Sequence, residues 1–201
     1  MKEYNVKKID DCKVKPDSPV WSDIKPANID CFPWSGYTYK PASNAKLVYS
    51  DNAITVRFET DEKPLSAAIT QDNSDVCSDS CVEFFFRPVL EDDRYINIEI
   101  NPLGTMHIGI GNVREGRKLI DFDKAIFEVT SIITVDKWIL QYVIPQSFII
   151  GHFGSISKCF YGNFYKCGDK TGHVHYGCWN TVETKTPDFH RPEYFGKIIF
   201  E

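Results

Sequence analysis

From Leu47 onward the chain is a succession of short runs in which apolar and polar residues alternate. Ile54, Val56 and Phe58 alternate with Thr55, Arg57 and Glu59; Val82, Phe84 and Phe86 with Cys81, Glu83 and Phe85; Ile96, Ile98 and Ile100 with Tyr95, Asn97, Glu99 and Asn101. A period of two is that of a strand with one face in a core. Leu47 to Tyr49 and Ile54 to Glu59 flank Asp51-Asn52, a hairpin turn, and Pro102-Leu103-Gly104 turns the chain into Met106, Ile108 and Ile110. Phe127 to Val135, Trp138 to Ile144, Gly162 to Cys167 and Lys197 to Phe200 complete the candidate strands. Pro145 to Ile150 has room for one helical turn, and no longer run is helical in period. The pattern predicts an all-β fold, an antiparallel β-sandwich, with residues 1–201 as a single domain.

Residues 1–46 depart from this pattern. They are rich in Pro, Asp and Lys yet carry Trp21, Phe32, Trp34, Tyr37 and Tyr39. Aromatics are scarce in disordered segments, so an irregular lead-in with at most one edge strand is expected, its rings covering an end of the core.

Alternation has a second consequence. Arg57, Glu83, Asn97 and Glu99 fall opposite the apolar positions of their strands, so if those strands are neighbours they place donors and acceptors on one open sheet face.

Composition narrows the partners. A formal charge of -5 without a Lys/Arg cluster excludes a nucleic-acid interface and an anionic membrane surface. No stretch is long and apolar enough to span a bilayer, and the first residues lack the apolar run of a secretory signal, so a cytoplasmic location is expected. Seven cysteines at scattered spacing form no disulfide framework; free thiols are expected, with Cys77 and Cys81 the pair that a turn would bring together. Nothing in the sequence bears on oligomeric state.

The remaining chemistry gathers near the C-terminus, in GNFYKCGDKTGHVHYGCWN (162–180) and PDFHRPEYFG (187–196). Lys166, Asp169, His173, His175 and His190 stand beside Trp179 and Phe189, a mixture too costly for a core and suited to a pocket for a polar ligand. An aromatic plate takes the C–H face of a sugar ring while charged neighbours bind its hydroxyls. Two prolines hold the second segment rigid. His173-x-His175 matches no compact zinc pattern, although Asp169 or His190 would complete a site if both imidazoles shared a face. Glu83, Glu99, Asp169 and Asp188 supply carboxylates for glycoside chemistry, but their separation is not written in the sequence.

Asp79-Ser80-Cys81-Val82-Glu83-Phe84-Phe85, Tyr95 to Asn101, and Trp179-Asn180 followed by Pro187 to Gly196 together resemble the family 9 carbohydrate-binding modules and their DOMON-like β-sandwich relatives. The resemblance runs from about residue 20 to the end. It implies a sandwich with a sugar-binding face, on which two tryptophans hold a sugar ring aided by a Glu, an Arg and amides. Glu83 matches the ligand-contacting Glu, Lys166 a polar strand residue with Asp169 just beyond it, and Asn97, or Glu99 two residues on, the Arg. Cys77 stands at the first clamping tryptophan and Phe189 at the second. His173, His175, Trp179 and His190 look like features of a branch of the family. The group also resembles calcium binders, so a structural calcium is an expectation without assigned ligands, and no cofactor is otherwise required.

The expected function is therefore carbohydrate binding, with no catalytic residue assigned. The ligand-binding set is Arg57, Glu83, Asn97, Lys166, Asp169, His175, Trp179, Phe189 and His190, and its Arg, Lys and His content favours acidic sugars. Two alternatives stay open: an enzyme acting on a small saccharide through a His/carboxylate pair in the same pocket, and an accessory domain whose polar face meets another protein.

Overall fold

The computed structural model describes residues 1–201. In chain order the strands are β1 (Glu3–Lys8), β2 (Ala27–Asn28), β3 (Ser43–Tyr49), β4 (Ala53–Thr60), β5 (Cys81–Arg87), β6 (Tyr95–Ile100) and β7 (Met106–Gly111). There follow β8 (Lys118–Leu119), β9 (Thr130–Ile133), β10 (Trp138–Pro145), β11 (Cys159–Cys167), β12 (Tyr176–Cys178) and β13 (Gly196–Phe200), with the helix α1 (Gln146–Phe153) after β10. Two sheets meet at β1: β8-β7-β6-β5-β11-β13-β1 forms the first and β1-β3-β4-β10-β9 the second, with β12 added to β11 and β2 to β3.

Most pairings are antiparallel, but β1 runs parallel to both β13 and β3, so the β-sandwich is mixed. The lead-in thus holds more than the one edge strand expected: β1 is an interior strand that joins the two sheets, β2 pairs with β3, and β3 itself begins at Ser43. Alternation explains the core. Val82, Phe84, Phe86, Ile96, Ile98 and Ile100 of the first sheet face Leu47, Ile54, Val56, Phe58, Leu140 and Tyr142 of the second in one buried cluster. The β6–β7 turn forms where the sequence places it. Asn101 Oδ1 accepts from the amides of Leu103 and Thr105, and Gly104 takes a φ of +75° that other residues resist.

Each outer face is covered differently. Over the second sheet lies residues 12–21 of the lead-in, whose backbone carbonyls are captured by side chains of the strands beneath: Thr55 Oγ1 donates to Cys12 O (2.6 Å), Gln141 Nε2 to Val14 O (2.6 Å) and Arg57 Nε to Pro16 O (3.1 Å). Over the first sheet lie Trp34, Val76, Val182, Phe189 and Phe195, packed on Cys81, Phe85, Tyr95, Tyr165 and Cys167. This second cover leaves a gap above the middle of the sheet.

Candidate functional site

The gap is a cavity of about 230 Å3 lined by Cys77, Glu83, Glu99, Arg114, Cys167, Asp169, Tyr176, Pro187, Asp188, Phe189 and His190. Its floor is built by strand register. Glu83 on β5 stands directly opposite Glu99 on β6, and Cys81 opposite Cys167 on β11. All four project to the outer face, because the alternate positions Val82, Phe84, Ile98 and Ile100 enter the core.

The Asp79-Ser80-x-x-Glu83 run divides its labour. Asp79 Oδ2 accepts from the amides of Ala68 and Ile69 and from Asn101 Nδ2, fixing the preceding loop to the end of β6. Ser80 Oγ donates to Glu62 Oε1 (2.8 Å), and Glu83 reaches the cavity floor. There Glu83 receives one hydrogen bond, from Cys167 Sγ at 2.9 Å. Burial, followed by the repulsion of Glu99, pushes its carboxyl well above the usual range; burial also raises Glu99, against the pull of His107. Asn97 Nδ2 donates to Glu99 Oε1 (2.7 Å), while Asn97 Oδ1 accepts from Arg117, whose guanidinium lies over the Tyr95 ring. Asn97 therefore orients Glu99 from outside the cavity.

The walls come from loops distant in sequence. Asp169 is fastened to Cys77 O through its amide (3.0 Å), and burial, then the Asp75 charge, raises its carboxyl. Phe189 stacks on Tyr165 with centroids 4.1 Å apart and planes 12° apart, and Trp34 supports it from behind at 5.8 Å. His190 Nδ1 shares a hydrogen bond with Tyr95 Oη at 2.9 Å; burial, then Arg114 and Arg117, holds its pKa down at about 3, so the ring is neutral. Across the mouth Arg114 pairs with Asp188 at 3.0 Å.

Of the nine residues expected in the site, Glu83, Asp169, Phe189 and His190 line this cavity, and Asn97 adjoins it. Four others lie elsewhere. Arg57 is on the outer face of the opposite sheet, paired with Glu59 and holding Pro16. Lys166 shares the inner face of β11 with Phe164. Its Nζ sits 2.6 Å from Glu62 Oε2 and donates to His175 Nε2 (3.0 Å) and Cys167 O (2.7 Å). His175 gives its Nδ1 hydrogen to His173 O (2.7 Å), so both ring nitrogens are engaged and neither is left for a metal. Trp179 is core, edge-on to Tyr4 and packed on Phe164, its ring filling the space above Gly196, where a Cβ would come within 2.4 Å.

These placements reverse one expectation. Of the basic residues that favoured an acidic sugar, Arg57, Lys166 and His175 lie away from the cavity and His190, which lines it, is neutral, while its walls hold Glu83, Glu99, Asp169 and Asp188 against Arg114. Arg114 and Tyr176 were not anticipated from the sequence. Strand parity puts Cys167 on the face of Tyr165, but nothing local brings the 112–117 loop over to Asp188.

A broader groove of about 790 Å3 near Phe32, Lys40, Glu59 and Asp136 is larger, but its lining includes only three hydrophobic residues, and it has no ring stack facing buried carboxylates. The smaller cavity is the better candidate because buried acceptors converge there on an apolar plate.

The sequence matches the family model of carbohydrate-binding family 9 over residues 20–200. Among solved structures, a candidate carbohydrate-binding protein from Bacteroides uniformis is 31% identical, with a TM-score of 0.88 over all of this chain and 99% of that one. A family 9 carbohydrate-binding module from Caldicellulosiruptor kristjanssonii in complex with cellotriose is 14% identical, with a TM-score of 0.65 over all of this chain and 94% of that one. One in complex with glucose is 16% identical, with a TM-score of 0.64 and 96% of that chain covered. Among curated proteins no match is found.

Proposed function

Because the chain belongs to carbohydrate-binding family 9, we propose that its cavity over Glu83 and Glu99 binds a neutral saccharide, without turning it over, as a terminal ring or a very short chain. The observation that carries this reading is the meeting of the Phe189–Tyr165 stack with Glu83, Glu99 and Asp169 in one cavity. A pyranose presents both an apolar C–H face and hydroxyl donors, which this pairing satisfies together. At about 230 Å3 the space is below the ~300–1,000 Å3 of drug-sized ligand sites, which suits a ring or two better than the flank of a polymer. The acidic lining disfavours uronates by like-charge repulsion. The related modules bound to glucose and cellotriose make those two sugars the first to try.

Titration calorimetry with glucose, cellotriose and glucuronate tests the reading. Neutral sugars should bind and glucuronate should bind more weakly. Phe189→Ala should weaken binding by about tenfold or more, roughly 1.4 kcal/mol, while the circular dichroism spectrum is retained. Unchanged affinity in a folded Phe189→Ala variant would remove the ring from the site.

A further inference from the structure

Beneath the saccharide cavity two cysteines that the binding of a sugar does not require converge on Glu83. Cys81 Sγ, Cys167 Sγ and a Glu83 carboxylate oxygen all lie within 4.8 Å of one another, and all three residues are buried. The convergence follows from register: Cys81 and Cys167 are cross-strand partners, and Glu83 lies two residues along β5 on the same face. Zinc with Zn–S of about 2.3 Å and Zn–O of about 2.0–2.2 Å places its tetrahedral donors roughly 3.6–3.8 Å apart. The observed spread therefore closes onto an ion by small side-chain rotations.

The local charge balance points the same way. Glu83 faces Glu99, and its single hydrogen bond comes from a thiol, a weak donor. The nearby basic side chains are committed elsewhere: Lys166 to Glu62 on the inner face, Arg114 to Asp188 and Arg117 to Asn97. Two carboxylates thus share a buried floor in which no side-chain cation hydrogen-bonds to Glu83, although His107 and Arg117 attract Glu99, and a bound cation would offset their mutual repulsion. The cavity supplies an entry path, since Glu83 and Cys167 line it, and Cys77 and Asp169 line it beside them.

We propose that Cys81, Cys167 and Glu83 form a three-ligand site for a thiophilic divalent cation, zinc by its ligand preference, with the fourth position facing the cavity. Two sulfurs and one carboxylate suit zinc and not calcium, which takes six to eight oxygens. Binding releases to solvent the thiol protons of Cys81 and Cys167, together with the Glu83 proton wherever that carboxyl is protonated, so uptake strengthens as pH rises. The proposal does not rest on the saccharide reading, and its test contains no sugar.

The test is titration of the reduced, metal-free protein with Co2+ alone. One equivalent should produce a thiolate-to-cobalt charge-transfer band and the strong visible bands of a tetrahedral site, zinc should bleach them, and a large excess of Ca2+ should not. Zinc should also raise the melting temperature, as a ligand of the native state does. Cys167→Ala and Cys81→Ala should each abolish the charge-transfer band, whereas Cys31→Ala and Cys159→Ala, at partly exposed thiols elsewhere, should keep it. If a core cysteine variant fails to fold, Glu83→Gln serves instead and should weaken cobalt affinity at least tenfold. The absence of a charge-transfer band in the native protein, or a band indifferent to Glu83→Gln and Cys167→Ala, would overturn the proposal.

Discussion

Lys166 illustrates how a residue type can mislead where its position does not. Its charge suggests a ligand contact, yet two-residue alternation along β11 groups it with Phe160 and Phe164, both in the core, and the structure places its ammonium between Glu62 and His175. There it ties β11 of the first sheet to the segment that leaves β4 of the second. His175 is held neutral in this cluster by burial first and by the Lys166 charge second, with its pKa lowered to about 3. A depressed folded pKa means that below about 6.5 the unfolded chain binds the proton and the native one does not. Stability is therefore fully present above that pH and drains away as pH falls toward about 3. His175→Gln, whose amide oxygen can still accept from Lys166, should reduce the fall in melting temperature between pH 7 and pH 4 relative to the parent. An equal fall in both proteins would show that His175 does not contribute. The position of Glu83, by contrast, was legible: its parity put it opposite the core, on the face where the cavity lies.

At the scale of elements, legibility tracked the regularity of alternation. The β4, β5, β6, β7 and β10 strands were written in the sequence with bounds close to those observed, because each buries one face in the core. The β1 strand was not, since only Tyr4 and Val6 alternate within it and its partner β13 lies at the far end of the chain. The two- and three-residue strands β8 and β12 carry no periodicity to read. Arg57 shows the cost of assuming that strands with similar faces are neighbours, because β4 belongs to the other sheet. What it does there is hold the lead-in: its guanidinium donates to Pro16 O and pairs with Glu59 while its Cζ lies 5.9 Å from the Trp21 ring centroid. Arg57→Ala should cost ~1–3 kcal/mol, the usual range for removing a partner of buried polar groups, and should leave saccharide affinity unchanged. Chemical denaturation and calorimetry on the same variant separate the two effects. A variant of native stability that has lost sugar binding would return Arg57 to the site.

For the whole molecule, the sandwich brings together residues that sequence distance hides. The floor of the cavity belongs to β5, β6 and β11, while its walls are supplied by Cys77, Arg114, Asp169 and the Pro187 to His190 segment. Half of that convergence was readable, in the alternation of the floor strands and the pinned C-terminal loop. The other half depends on how loops cross a finished sheet. The most direct test is an amide proton–nitrogen correlation spectrum recorded while cellotriose is added. Shifts concentrated at Glu83, Glu99, Asp169, Phe189 and His190 are predicted. Shifts confined to the groove around Phe32, Lys40 and Asp136, or none at saturating sugar, would contradict the assignment of this cavity as the saccharide site.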